Sequence, residues 1–289
     1  MKPLIVITGP TASGKTAMSI EMAQKLGGEI INADSMQVYK YMDVGTAKPD
    51  MEERAGIPHH LIDVIEPTDS FSAAQYTQMA HRCIAEVHGK GKIPILVGGT
   101  GLYIDSVVYN INYGDSSADE ALRRRLNGMA DDMGNEHLHK MLAEIDPQSA
   151  EKIHPSDRKR IVRALEVYYH TGETMTEQKR KSRSEGIPYS AELYAIDTDR
   201  ALLYERINKR VDIMLESGLI DEVKRLTDMG VNREMTSMQG IGYKELIRYL
   251  DGEISIDTAI GMIKQGSRRY AKRQLTWFRR NHDIIWIRR

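Results

Sequence analysis

Gly9-Pro10-Thr11-Ala12-Ser13-Gly14-Lys15-Thr16 fits the spacing G-x-x-x-x-G-K-[ST]. It follows the apolar run Leu4–Thr8 and opens a helical pattern, Lys15–Leu26. Glycines let successive backbone N–H groups close around phosphate oxygens, and the helix N-terminus adds partial positive charge. Lys15 would reach the outer phosphates, and the Thr16 hydroxyl would complete a Mg²⁺ shell. The segment predicts a di- or triphosphate site. It does not say which compound binds, because kinases, NTPases and other transferases share it.

Asp34, in Ala33-Asp34-Ser35-Met36-Gln37-Val38-Tyr39, is the second candidate. It follows the run Glu29–Asn32, so it falls at a strand's carboxyl end, where open α/β sheets hold ligands. A carboxylate there can hold Mg²⁺ through water or take a proton from an attacking group. The plainer alternative is that Asp34 caps the next turn. His59-His60 does not read as a metal pair, because neighbours on an extended chain point opposite ways. Asp63 is a weaker candidate for holding Mg²⁺ through water.

The elements that must position these groups follow from hydrophobic patterning. Apolar runs at Leu4–Thr8, Glu29–Asn32, Leu61–Ile65, Ile95–Val97, Leu193–Ile196 and Ile284–Ile287 alternate mostly with helical stretches. Strands separated by helix-length segments imply a parallel sheet. Between Gly114 and about Pro188 no strand is expected; Asp119–Ala130, Glu136–Ile145 and Asp157–His170 read as short helices. The fold class is α/β, a P-loop-type parallel sheet flanked by helices, with a helical insertion domain. The catalytic core is expected over 1–114 and 190–289, and the insertion over 115–189.

The 289 residues carry 40 Lys+Arg against 41 Asp+Glu, a net charge of −1, so any nucleic-acid footprint has to be local. Between Lys264 and Arg289 nine basic residues stand against one acid, Asp283, with Tyr270, Trp277 and Phe278 interleaved. On a helix Arg269, Arg273 and Arg280 would form a phosphate-facing stripe, while Tyr270 and Trp277 share another face and are expected mainly in the core. Arg158-Lys159-Arg160 with Arg163 forms a second basic cluster. Gln239-Gly240-Ile241-Gly242-Tyr243-Lys244 offers two glycines for close backbone approach and a lysine for phosphate, or simply starts a helix.

One cysteine, Cys83, allows no intrachain disulfide and no thiolate metal cluster, which fits a reducing compartment. No apolar run approaches the ~18 residues of a membrane helix. A cytoplasmic protein with no membrane and no disulfide partner is expected, taken as a monomer.

Together the phosphate loop and the motifs Asn32-Ala33-Asp34-Ser35-Met36-Gln37-Val38-Tyr39, Met42-Asp43-Val44-Gly45-Thr46-Ala47-Lys48-Pro49, Val97-Gly98-Gly99-Thr100-Gly101-Leu102-Tyr103, Arg163-Ala164-Leu165-Glu166-Val167 and Gly240-Ile241-Gly242-Tyr243 stand in a recognisable order. The sequence resembles the tRNA dimethylallyltransferase (tRNA isopentenyltransferase) family over essentially the whole chain. The resemblance implies transfer of a dimethylallyl group from dimethylallyl diphosphate to N6 of adenosine 37 in tRNA, with Mg²⁺ as cofactor. It casts Asp34 as the base on N6, Thr100 beside the reacting groups and Arg210 on the diphosphate held by Gly9 to Thr16. It implies tRNA contacts from Asp34, Ser35, Met36, Gln37, Thr100, Arg123, Lys159, Arg160, Ile161, Val162, Arg163, Gln239, Gly242, Tyr243 and Lys244. Two other readings use the same features: a P-loop nucleoside or nucleotide kinase, and a non-catalytic RNA-binding module that senses a nucleotide.

Overall fold

The computed structural model describes residues 1–111, 119–184 and 186–288, with the side chains of 182–184 left out. The expected boundary at 114/115 and the terminal Arg289 lie outside the described residues. The chain divides into two compact units, Met1–Val108 with Pro188–Arg289, and Tyr109–Ile187.

The first unit is built on one six-stranded sheet. Its elements run β1 (Lys2–Thr8), α1 (Lys15–Leu26), β2 (Glu29–Asn32), β3 (His59–His60), α2 (Ala73–Gly89), β4 (Pro94–Gly98) and α3 (Gly101–Val108). The second unit holds α4 (Glu120–Met133), α5 (Asn135–Ile145), α6 (Pro147–Lys152), α7 (Arg158–Thr171) and α8 (Met175–Ser184). The first unit resumes with β5 (Tyr189–Asp197), α9 (Arg200–Glu216), α10 (Leu219–Asp228), α11 (Tyr243–Leu250), α12 (Ile256–Phe278) and β6 (Ile284–Arg288).

The strand order is β3-β2-β4-β1-β5-β6, and every pairing is parallel. A parallel sheet covered by helices needs apolar residues on both faces, and the continuous burial of Leu4–Thr8 and Pro94–Gly98 follows from that. Tyr76 of α2 stacks on Tyr103 of α3 with centroids 3.8 Å apart, and its hydroxyl donates to the Asn32 carbonyl. That contact fixes where β2 ends and the Asp34 turn begins.

Two expectations from the sequence need correction. The apolar run Leu61–Ile65 is not a strand. Leu61 and Asp63 sit at φ 61 and 57, a left-handed conformation that breaks an extended chain, and the paired segment is His59–His60 just before it. Only Ile65 keeps an isolated bridge, to Tyr39. The basic stripe on the last helix is also shorter than expected. The helix ends at Phe278, so Arg280 lies beyond it, with its guanidinium 4.5 Å from the centroid of the Trp277 ring.

The second unit closes on Leu126, Ala130, Leu138, Leu142, Ile161 and Leu165. Three of its helix starts, those of α4, α6 and α7, are capped by Asp119, Asp146 and Asp157, whose carboxylates accept backbone N–H groups of the first turn.

Candidate active site

The site lies at the carboxyl ends of β1, β2 and β4, where adjacent strands of a parallel sheet leave a crevice. The turn Gly9–Thr16 leaves β1 and enters α1 through Ala12 and Gly14, both left-handed. Lys15 Nζ folds back onto the Pro10 carbonyl at 2.7 Å. Burial, repulsion from Arg210 and a weaker opposing pull from Asp34 bring Lys15 down to about 8.

Asp34 caps its turn and also lines the crevice. One carboxylate oxygen accepts the Met36 N–H at 2.9 Å, which makes the turn, and the side chain faces the crevice. The neighbouring β4 exit runs so close that a Cβ on Gly98 would fall 2.2 Å from the Ala33 carbonyl oxygen. Only glycine fits there. The close approach brings Thr100 onto the Asp34 turn, where its hydroxyl accepts the Ser35 N–H at 3.0 Å. Gln37 completes the arrangement by donating to the carbonyls of Thr46 and Ala47 at 3.1 and 3.2 Å.

Arg210 reaches the same crevice from α9. Burial lowers its affinity for a proton, with Glu53 and Asp34 opposing. Tyr270, from α12, lies beside Thr100 and Gln274. Burial and the nearby Asp34 carboxylate push its hydroxyl well above the ordinary phenol value.

A wide, open cavity of about 890 Å³ borders the outer side of the loop along Gly14, Lys15, Thr16 and Arg210, and two smaller ones meet at Asp34. Of these two, the smaller, of about 90 Å³, is polar and is lined by Lys15, Thr16, Asn32, Gln37 and Gln274 among others. The larger, of about 290 Å³, has a mainly apolar wall that includes Met36, Ile207, Val211, Met214, Leu219 and Ile263. Thr11, Asp34, Thr46, Ala47, Arg210 and Tyr270 line both. Gln239, Gly240, Ile241, Gly242 and Lys244 close the larger cavity on another side. This arrangement can hold an anionic group at the loop and an apolar group next to a carboxylate.

Among the residues singled out from sequence, Thr11, Lys15, Thr16, Asp34 and Arg210 line this crevice; the rest of Gly9 to Thr16 forms the turn behind it, and Thr100 adjoins it through the Ser35 N–H. Ser35, Met36, Gly242 and Lys244 line the larger cavity, and Gln37 lines the smaller. Tyr243 does not reach either: it is 1% exposed and its hydroxyl donates to Glu222 at 2.7 Å. Asp63 pairs with Lys48, and His60 is bonded to Glu29.

Within the second unit, Lys159 and Arg160 are exposed on the first turn of α7. Arg123 and Arg163 both pair with Glu166, which is fully buried. Burial works against the Glu166 charge, but Arg163, the Asp119 N–H and Arg123 outweigh it and hold the carboxyl below its usual range. Ile161 and Val162 point into the core.

Sequence reading missed Gln274. Its Oε1 accepts the Thr11 N–H and its Nε2 donates to the Gly99 carbonyl, each at 2.9 Å, so one side chain ties the phosphate loop to the loop carrying Thr100. The available signal was a polar residue on the Tyr270–Ala271–Trp277–Phe278 face of an amphipathic helix.

A family model described as IPP transferase matches residues 37–281, a span that begins after both the phosphate loop and Asp34. A tRNA dimethylallyltransferase of Acetivibrio thermocellus is 51% identical over 287 residues, 99% of this chain and 92% of that protein. The full-length tRNA isopentenylpyrophosphate transferase of Bacillus halodurans is similar at 46% identity and a TM-score of 0.74, covering 100% of this chain and 90% of that one. A eukaryotic dimethylallyltransferase acting on tRNA is similar at 31% identity and a TM-score of 0.85, covering 100% and 74%.

Proposed function

This chain belongs to the IPP transferase family, and from that premise we propose that it transfers a dimethylallyl group from dimethylallyl diphosphate to N6 of adenosine 37 in tRNA, releasing diphosphate. The observation that carries the reading is that Asp34 and Arg210 stand on the shared wall of a polar and an apolar cavity. A nucleoside or nucleotide kinase needs a polar pocket beside the loop for its acceptor hydroxyl or phosphate. Here an apolar chamber adjoins it instead, which suits a five-carbon group.

The donor's diphosphate would occupy the smaller cavity, against Thr11, Lys15 and the loop N–H groups, with Arg210 at the junction. The prenyl chain would lie along Met36, Ile207, Val211 and Met214. As the C1–O bond breaks, negative charge gathers on the departing diphosphate and positive charge spreads over the allyl group. Lys15 and Arg210 stabilise the first. The apolar wall keeps water from the second.

Adenine N6 attacks C1, the N6–C1 bond forms, and Asp34 takes the N6 proton. The amine is a poor nucleophile because its lone pair is delocalised, so a hydrogen bond to carboxylate raises its electron density as the bond forms. The Met36 N–H fixes the Asp34 rotamer for this task. Thr100 would contact the base from the adjoining loop.

Magnesium fits this donor set. Thr16, whose side chain carries a hydroxyl, lines the smaller cavity beside Lys15. A Mg²⁺ ion would be held by Thr16 together with diphosphate oxygens, as such ions usually are, and would neutralise leaving-group charge.

For tRNA, Lys159 and Arg160 offer phosphate contacts from the second unit, with Arg123 and Arg163 steadied by Glu166. Arg160 pairs with Asp157, the residue that caps α7, at 3.3 Å, and Lys159 beside it extends the basic face that RNA phosphate would meet. Buried Ile161 and Val162 would act by holding that turn in place. Gln239, Gly242 and Lys244 would meet the RNA at the chamber, and Tyr243 would support them from below. Removing the base from its stack costs a few kcal/mol, less in a loop. No described helix is long and apolar enough to cross a membrane, and with a single cysteine the cytoplasm is the expected place of reaction.

The test is mass spectrometry of tRNA nucleosides after incubation with dimethylallyl diphosphate and Mg²⁺. Adenosine heavier by one prenyl group, with diphosphate released, is expected; unchanged adenosine removes the proposal. Asp34→Asn keeps the turn's acceptor oxygen, so it should bind tRNA normally while turnover drops by more than about a hundredfold.

A further inference from the structure

Glu222 sits on α10 among Leu219, Val223 and Leu226, on a helix face that is otherwise apolar, and is 1% exposed. Its carboxylate accepts four hydrogen bonds. Oε2 takes the Asp43 and Val44 N–H groups, both at 2.8 Å; Oε1 takes the Gly45 N–H at 3.0 Å and the Tyr243 hydroxyl at 2.7 Å. Three successive backbone N–H groups converging on an anion form a nest, the arrangement that elsewhere captures phosphate. Here the anion is the protein's own.

Neither Glu222 nor Tyr243 lines the cavities at the site, yet the segments they hold do. Gly45, Thr46 and Ala47 form one wall of the larger cavity; Gly240, Ile241 and Gly242, immediately before Tyr243, form another. Gly45 packs so tightly on the Tyr243 ring that a Cβ would lie 2.5 Å from it. From Thr46 and Ala47 the contact passes through the Gln37 amide to the turn that carries Asp34. Lys48 closes the loop's far end by bonding the Tyr39 carbonyl and Asp43.

We infer that Glu222, with Tyr243, is a positioning residue for the acceptor side of the reaction: it sets the two walls between which the adenine must lie and, through Gln37, the Asp34 carboxylate. The inference rests on the prenyl-transfer reading. The phosphate loop that would grip the diphosphate has its own brace in Gln274, which makes no contact with Glu222 or Tyr243, so the two supports are distinguishable by kinetics. Glutamine at 222 has nearly the same shape but would turn an NH₂ group toward N–H or O–H donors, and at least one bond is lost on that side.

The test is steady-state kinetics with each substrate varied, together with the amplitude of a single turnover. For Glu222→Gln, kcat should fall and the RNA KM rise, their product effect at least about tenfold, because small displacements of reacting groups are costly. The donor KM should stay within about twofold and the single-turnover amplitude should be undiminished. Tyr243→Phe, which removes one donor of the four, should move the same constants in the same direction by less, and it decides the matter if Glu222→Gln does not fold. Unchanged kcat and RNA KM, a parallel rise in donor KM, or a loss confined to the single-turnover amplitude would overturn the inference. Absence of prenylated adenosine with the unaltered enzyme would instead overturn the reaction itself.

Discussion

A methyl group on Gly99 would fall 2.1 Å from Nε2 of Gln274. The amide that braces the phosphate loop therefore occupies the space a side chain at 99 would need, and the two residues form a single fitted joint. Gln274→Leu loses both bonds at about 1 kcal/mol each, which corresponds to roughly ten- to thirtyfold in donor KM. Gly99→Ala should give the same change by expelling the amide. Kinetics at saturating RNA measures both, and a donor KM within twofold of the unaltered enzyme for Gln274→Leu would dismiss the brace.

Lys15 should make donor binding depend on pH. Its folded-state value of about 8 lies below the ordinary 10.5. Below pH 8 the ammonium is present and diphosphate binds it; above pH 8 a proton must be taken up on binding, and affinity should fall by up to about tenfold per pH unit. The effect on stability has the opposite sign. Burying the charge is a penalty, present in full below about pH 8 and relieved as pH rises toward 10.5. Calorimetric titration with inorganic diphosphate from pH 7 to 9.5, with Lys15→Met as the baseline for the ligand's own ionisation, gives the answer. Parallel profiles for the two proteins would rule the lysine out.

Lys159 and Arg160 should contribute affinity for RNA without touching the chemistry. Replacing both with alanine removes about two phosphate contacts, so the slope of log affinity against log salt should shrink by roughly 1.4 to 1.8. The kcat at saturating RNA and the unfolding midpoint should not change, since both side chains are exposed. Glu166→Gln provides the contrast: it strips the buried partner of Arg123 and Arg163 and should lower the unfolding midpoint. An unaltered salt slope in the double variant would move the RNA contact elsewhere.

What could be read in the sequence was what local spacing determines. The phosphate loop is contiguous, and Asp34 lies two residues past the run Glu29–Asn32, so both were visible without any partner. The run Leu61–Ile65 misled because β-branched residues look the same whether they pair or pass through left-handed turns, and here Lys48, paired with Asp63, and the Gln37 and Val38 carbonyls hold the turn from outside it. Gln274 and Glu222 escaped notice for a related reason. Each is defined by partners more than 170 positions away, such as Gly99 and Asp43. Their only trace was a polar residue on an apolar helix face, a pattern that surface helices also produce.

The sheet's interior order has a consequence for how the chain is made. β1 lies between β4 and β5, and its register with β5 joins Lys2–Thr8 to Tyr189–Ala195. At translation speeds of about 5–20 residues per second, roughly ten to forty seconds separate synthesis of the first strand from arrival of the partner on its other side. Throughout that interval the nascent protein carries an apolar strand with one edge bare, beside a phosphate loop whose brace in α12 has not yet been made. Ribosome-associated chaperones would find their natural target in that edge.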